Sequence, residues 1–168
     1  MKINQSHHTS SAVELIGRDG NTVLNQVNTI RRVRQRKGSD CGVSCVAMVA
    51  GVSYQKAFNA FGFMKGQKTF YTSHKKLEEA LSKLGCEVQR RRFVSWDDIS
   101  GCAILPVNHR CKRLNFHWIV FNGTDVLDPN PKRPSRQKYF VRYRASGNYV
   151  LVTKPRSDVS TLSEGVRT

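Results

Sequence analysis

Acidic residues are scarce in this chain. Only 12 Asp and Glu stand against 28 Lys and Arg in 168 residues, a formal net charge of +16. That imbalance favours anionic partners such as nucleic acid, an acidic protein face or anionic lipid, and does not choose among them. Long apolar runs are lacking as well. None approaches the roughly 18 to 20 residues that a membrane-spanning helix needs. The opening "MKINQSHHTSSAVELIG" has no apolar h-region of the secretory kind. The expectation is a chain made as a soluble cytoplasmic protein, which would need another system for any export. A disulfide framework is missing too. The five cysteines, Cys41, Cys45, Cys86, Cys102 and Cys111, are odd in number and follow no disulfide pattern. Reduced thiols are therefore expected. There is no internal repeat.

What is present suits one globular domain. The composition is 39% hydrophobic and 9% aromatic, and the length allows a real core without staples. We expect an N-terminal extension over 1–29, a folded domain over 30–156 and a flexible tail over 157–168. Residues 12 to 34 carry a "GRDGN" turn signal and then "TIRRVRQ", whose alternation suits an exposed strand or extended arm. Asp40 to Ala50 is small and apolar, as in a buried helix ended by Gly51. Ser53 can cap a short second helix that stops at Gly62. Thr72 or Ser73 opens a third, with Leu77, Leu81 and Leu84 as its apolar stripe and Gly85 as its stop. The segments "CEVQRRRFV", "CAILPVN", "FHWIVF", "DVLDP", "KYFVRYR" and "NYVLVTK" read as strands. Helices first and antiparallel strands after them predict an α+β domain.

Chemistry concentrates in "QRKGSDCGVSC", residues 35 to 45. Nucleophilic catalysis by cysteine needs a thiolate, an imidazole in reach and donors for the developing oxyanion. Cys41 falls in the first turn of a predicted helix, where the macrodipole and free N–H groups favour an anion. Gly42 leaves room for a substrate backbone. Gln35, six residues before Cys41, carries a side-chain amide that can act as a second oxyanion donor. Against this, a cysteine before an apolar helix is most often a small hydrophobe.

Further along stands "NFHWIVFNGTDVLDPNP". Asn122-Gly123 is the strongest short hairpin signal, a two-residue type I′ turn. That register pairs Trp118 with Leu127 and sets His117 opposite Asp128, with Cβ atoms about 5 Å apart. A four-residue loop moves the pairing by two and leaves His117 and Asp128 on one face. Taken singly, His117 reads as a hydrogen-bonded sheet histidine and Asp128-Pro129 as the start of a turn. Together with Cys41 and Gln35 they point to catalysis.

Other constellations are weaker. Cys41-x3-Cys45 with His109-x-Cys111 can be drawn as a zinc site, but no tight C-x-x-C pair exists and the drawing uses the best nucleophile. No metal or cofactor is expected. His109 is a rival base without a carboxylate set opposite it; His74, His7 and His8 read as solvated. The basic runs 31–37, 90–92, 110–113 and 132–144 are more than solubility requires. They fit a nucleic-acid-binding module in which Tyr139, Phe140 and Tyr143 stack on bases. They also fit a basic rim that recruits an acidic protein, or one associated with nucleic acid.

"Q-x5-C" with "DCG" at a helix start, then "HWIVF" and a following "DP", resembles the papain-like bacteriocin-processing (double-glycine leader) peptidases over residues 30 to 150. The segment "SHKKLEEALSKLGCEV" is similar to that family's second long helix and the strand after it. The resemblance implies a papain-like fold with Cys41 as nucleophile, His117 as general base, Asp128 as the orienting carboxylate and Gln35 in the oxyanion hole. It implies a peptidase, with a cleft that favours small residues such as Gly-Gly before the cut. The same site acting on a glutamine side chain would make a deamidase or transamidase. The family usually has Ala where Ser44 stands, a mild departure. The transporter domains that accompany leader-processing members are expected to be absent. Stand-alone members resembling this one occur among toxins and effectors delivered into other cells, which would imply an immunity or inhibitor partner.

Overall fold

The computed structural model describes residues 30–110, 115–137 and 143–153; the expected extension over 1–29 and tail over 157–168 lie outside them. Among these residues, three helices come first. Helix α1 spans Cys41–Ala50, nearly all of it buried, because its residues are small and apolar on every face. Gly51, at φ 67°, closes it with its N–H on the carbonyls of Ala47 and Met48, a left-handed geometry that glycine adopts without penalty. Helix α2 (Tyr54–Ala60) is capped by the Ser53 side chain on the Lys56 N–H. Helix α3 (His74–Lys83) is capped by Ser73 on the Lys76 N–H. Each such cap contributes about 1 kcal/mol. Leu77, Ala80 and Leu81 are the inward stripe of α3, whereas Leu84 is only half-buried.

Among the described residues five strands follow: β1 (Glu87–Arg92), β2 (Ala103–Arg110), β3 (Asn115–Phe121), β4 (Val126–Leu127) and β5 (Asn148–Thr153). They form one sheet in the order β1-β5-β2-β3-β4, and every pairing is antiparallel. Period-two alternation sorts its side chains into two cores. Ile104, Trp118, Val120, Val150 and Val152 face the helices and join Val43, Val46, Leu77 and Leu81. Leu105, Val107, Ile119, Phe121 and Tyr149 face the other way, with Ile99 and Tyr143. Full burial of a Val or Leu side chain stabilises the fold by about 1.5–3 kcal/mol, so this two-sided sheet carries much of the stability. The α+β prediction holds, with N-terminal helices packed on an antiparallel sheet.

One local expectation needs correction. The β3–β4 turn is not a type I′ hairpin, because the register sets Phe121 opposite Val126 and Val120 opposite Leu127. The loop therefore has four residues. The Asn122 side-chain oxygen accepts from the N–H groups of Thr124 and Asp125, a local turn that competes with the tight one. Among the described non-glycine residues only Asn108 has a positive φ, whereas type I′ requires it at Asn122. Most of the expected strand "KYFVRYR", residues 138–142, lies outside the described residues; Tyr143 and Arg144, at its end, are irregular.

No helix among the described residues is long and apolar enough to cross a membrane.

Candidate active site

Cys41 is the first residue of α1 and is only 9% exposed. It lines a cleft of about 510 Å³ together with Ser39, Tyr71, Thr72, Phe116 and His117. The next residue, Gly42, has no room for a side chain without a shift of Thr72. A Cβ on Gly42 would lie 2.0 Å from Thr72 Oγ1 and 3.0 Å from Thr72 Cβ. The space reserved at Gly42 is thus filled by the protein's own Thr72, not kept for a substrate backbone as the sequence suggests. The close approach joins the start of α1 to the segment that leads into α3.

His117 comes from β3. Its Nε2 lies 2.7 Å from Asp128 Oδ1, and the ring also hydrogen-bonds the Cys41 thiol. Asp128 takes Nε2, so Nδ1 is the nitrogen left for sulfur. Asp128 accepts the Nε2 proton, which makes Nδ1 the basic position of the neutral ring. Burial works against a charged imidazole here. The hydrogen bonds with Asp128 and Cys41 overrule it and lift the His117 pKa to about 9, so the ring is an imidazolium at neutral pH.

Asp128 is 2% exposed and fully engaged. Oδ1 also accepts from the Asn130 N–H at 2.8 Å, and Oδ2 accepts from the Tyr143 hydroxyl at 2.8 Å. Burial alone would raise its pKa, yet the bonds from His117, Asn130 and Tyr143 hold it below the usual carboxylate range. The backbone around it is clamped from the N-terminal side. Arg32 donates to the carbonyls of Asp128 and Asn130, and the Gln35 N–H donates to the carbonyl of Pro129 at 2.9 Å. Residues 30–35 of the expected arm therefore lie along residues 128–130.

Gln35 sits beside the nucleophile loop. One amide proton of its Nε2 goes to the Lys37 carbonyl at 2.8 Å; the other is free to serve a second acceptor. Its Oε1 is buried with no partner among the described residues. Cys41, His117 and Asp128 thus form one hydrogen-bonded series, while Gln35 is bonded to the loop before Cys41 and is not part of the cleft lining.

Such a series can hold a proton taken from a thiol as an imidazolium, pass it to a leaving group and keep the imidazole in one orientation. Sequence reasoning missed Arg32, Tyr143 and Asp40 as supports of the site. Arg32 and Tyr143 sat in basic runs that read as solvated or nucleic-acid-facing. Their partners lie far along the chain, so no local spacing reveals them. Some of the remaining charge is internally committed: Arg90 makes a two-pronged ion pair with Glu78, and Arg36 stacks on the Tyr54 ring. Burial pushes the Cys45 thiol well up, which keeps it protonated in the core. No cluster of three metal-ligating side chains occurs among the described residues; the His109 side chain and Cys111 lie outside them.

The likeness to known proteins is structural. The chain matches the peptidase domain of Streptococcus ComA, a bi-functional ABC transporter involved in a quorum-sensing pathway, with TM-score 0.59 and 22% identity. The match covers 75% of this chain and 99% of that domain. The peptidase domain of Streptococcus mutans ComA matches with TM-score 0.49 and 20% identity over 73% of this chain and 98% of that one. No family model and no curated protein sequence matches. The first match establishes a shared papain-like α+β fold.

Proposed function

We propose that this chain is a cysteine peptidase acting on a protein substrate. The observation that carries the reading is the continuous series Cys41–His117–Asp128 opening on a cleft. The fold shared with a peptidase domain supports it. The Cys41 thiolate, its proton held by the His117 ring, attacks the scissile carbonyl carbon as the π electrons move onto oxygen. The resemblance assigns that oxyanion to the Cys41 N–H and the second Gln35 amide proton. The His117 imidazolium gives its proton to the leaving amine as the C–N bond breaks, and a thioester remains. Water then attacks, His117 takes its proton, and the tetrahedral adduct expels the thiolate. The resemblance noted above adds small residues, Gly-Gly among them, before the cut. It also adds a role as a delivered toxin or effector with an immunity partner.

The test has two parts. Wild type and the Cys41→Ala and His117→Ala variants are alkylated with iodoacetamide across pH, with mass spectrometry at each cysteine. New protein N-termini are then sought in lysate incubated with each form. The expected result is fastest alkylation at Cys41, slowed in His117→Ala, and new N-termini with wild type only. Alkylation at Cys41 no faster than at Cys86 or Cys102 would overturn the reading. Conversion of glutamine to glutamate without chain cleavage would replace peptidase by deamidase.

A further inference from the structure

Asp40 is a carboxylate with 0% exposure at the N-cap position of α1, yet its side chain caps nothing in that helix. An aspartate at this position ordinarily accepts from the second or third N–H of its own helix. Here it turns backwards. Oδ2 accepts from the Arg36 N–H at 3.1 Å, and both carboxylate oxygens accept from the Lys37 N–H at 3.1 Å. The Tyr54 hydroxyl, at the start of α2, donates to Oδ2 at 2.5 Å. The Arg36 guanidinium lies 4.1 Å from the centre of the Tyr54 ring and covers it.

Two consequences follow for the residue after it. The Asp40 side chain does not compete for the first N–H groups of α1, the helix that Cys41 opens. The peptide of Lys37 is also held on both sides. Its N–H is on Asp40, and its carbonyl receives Gln35 Nε2. A chain of contacts thus runs from Tyr54 through Asp40 and Lys37 to the Gln35 amide.

We propose that Asp40, braced by Tyr54, is a positioning residue that sets the Gln35 amide and the α1 N-terminus as a preorganised oxyanion site. This rests on the cysteine-peptidase reading. The arrangement matters because oxyanion donors work only when fixed before the charge develops, and a displacement near 1 Å can lower a rate about 100-fold.

Acylation and alkylation of the same sulfur separate this role from a structural one. Attack on p-nitrophenyl acetate develops an oxyanion; displacement of iodide from iodoacetamide does not. The p-nitrophenolate burst and the Cys41 alkylation rate are measured for wild type, Cys41→Ala, Asp40→Asn, Tyr54→Phe, Gln35→Ala and Gln35→Ala/Asp40→Asn. Acylation is expected to fall about 10- to 100-fold in Asp40→Asn and about 10-fold in Tyr54→Phe. Alkylation should stay within about threefold of wild type. The Asp40→Asn effect should largely vanish when Gln35 is already Ala, because coupled residues are not additive. Unchanged acylation, a parallel fall of alkylation, or effects that multiply would each overturn the inference. Tyr54→Phe keeps the test decisive if Asp40→Asn does not fold, since it deletes a single hydroxyl. A wild type without a Cys41-dependent burst would sink the peptidase reading itself, and the inference with it.

Discussion

His117 and Asp128 stand diagonally across the β3–β4 ladder, not directly opposite, and still meet at 2.7 Å. The register extended from Val120–Leu127 sets His117 against Asn130 and Asp128 against Ile119. Both side chains keep one face because their offset preserves the two-residue period. The four-residue loop therefore moved the partners without separating the pair. The Asp128 backbone is then held by Arg32, and its second oxygen by Tyr143.

Replacing Asp128 by Asn should expose what that contact does. The His117 pKa should drop from about 9 toward the ordinary value near 6.5, because the opposing burial is then unanswered. Thioester formation should slow by about 100-fold or more, as wrong-tautomer variants of catalytic triads do. NMR titration of the His117 ring and burst kinetics check the two halves separately. An unshifted ring pKa would mean that Cys41 alone sustains it.

Stability should fall as pH rises through the neutral range. His117 titrates higher in the folded state than in the unfolded one. Its contribution is complete below about 6.5 and lost as pH climbs through about 9. Asp128 is depressed when folded, so its contribution is present above the ordinary carboxylate value and lost only as acid passes the lowered one. Urea unfolding between pH 5 and pH 9.5 should show the decline, with a slope from His117 of at most about 1.4 kcal/mol per pH unit. The Asp128→Asn variant should show a shallower decline.

Gly42→Ala should destabilise the protein by about 1–3 kcal/mol, since the new methyl overlaps the Thr72 side chain. Part of the loss should return in Gly42→Ala/Thr72→Ala, which removes the closest atom. Thermal unfolding of the two variants decides this. An unaffected Gly42→Ala would show that the 71–73 segment yields without cost.

Ser44→Ala should stabilise the fold by about 1 kcal/mol. The Ser44 hydroxyl is buried without a hydrogen-bond partner among the described residues, and an unpaired buried hydroxyl carries a desolvation penalty that alanine removes. A loss of stability would reveal a partner for the hydroxyl, such as a bound water.

Tyr143→Phe should lower stability by about 1 kcal/mol, because one hydroxyl serves both Asp128 and Gln137. It should also raise the Asp128 pKa by removing a donor to the charged form. The acid limb of the stability profile would then move to higher pH, which the same urea series reads.

The sequence by itself determined most of the described elements and the residues that meet as Cys41, His117 and Asp128. The small apolar run after Asp40, the serine caps at Ser53 and Ser73 and the glycine stops are local signals that need no partner. Equally local is the two-residue period that keeps His117 and Asp128 on one face. Tertiary structure alone decided what holds those residues in place. Arg32 meets the Asp128 backbone, Tyr54 meets Asp40, and Thr72 fills the space beside Gly42. Each contact joins segments that have no fixed spacing along the chain. Whether an arginine is solvated or clamps a carbonyl depends on which backbone the fold brings beside it. The turn type was decided the same way: the sequence allowed two loops, and the Asn122 side chain with the β3–β4 register selected the longer one.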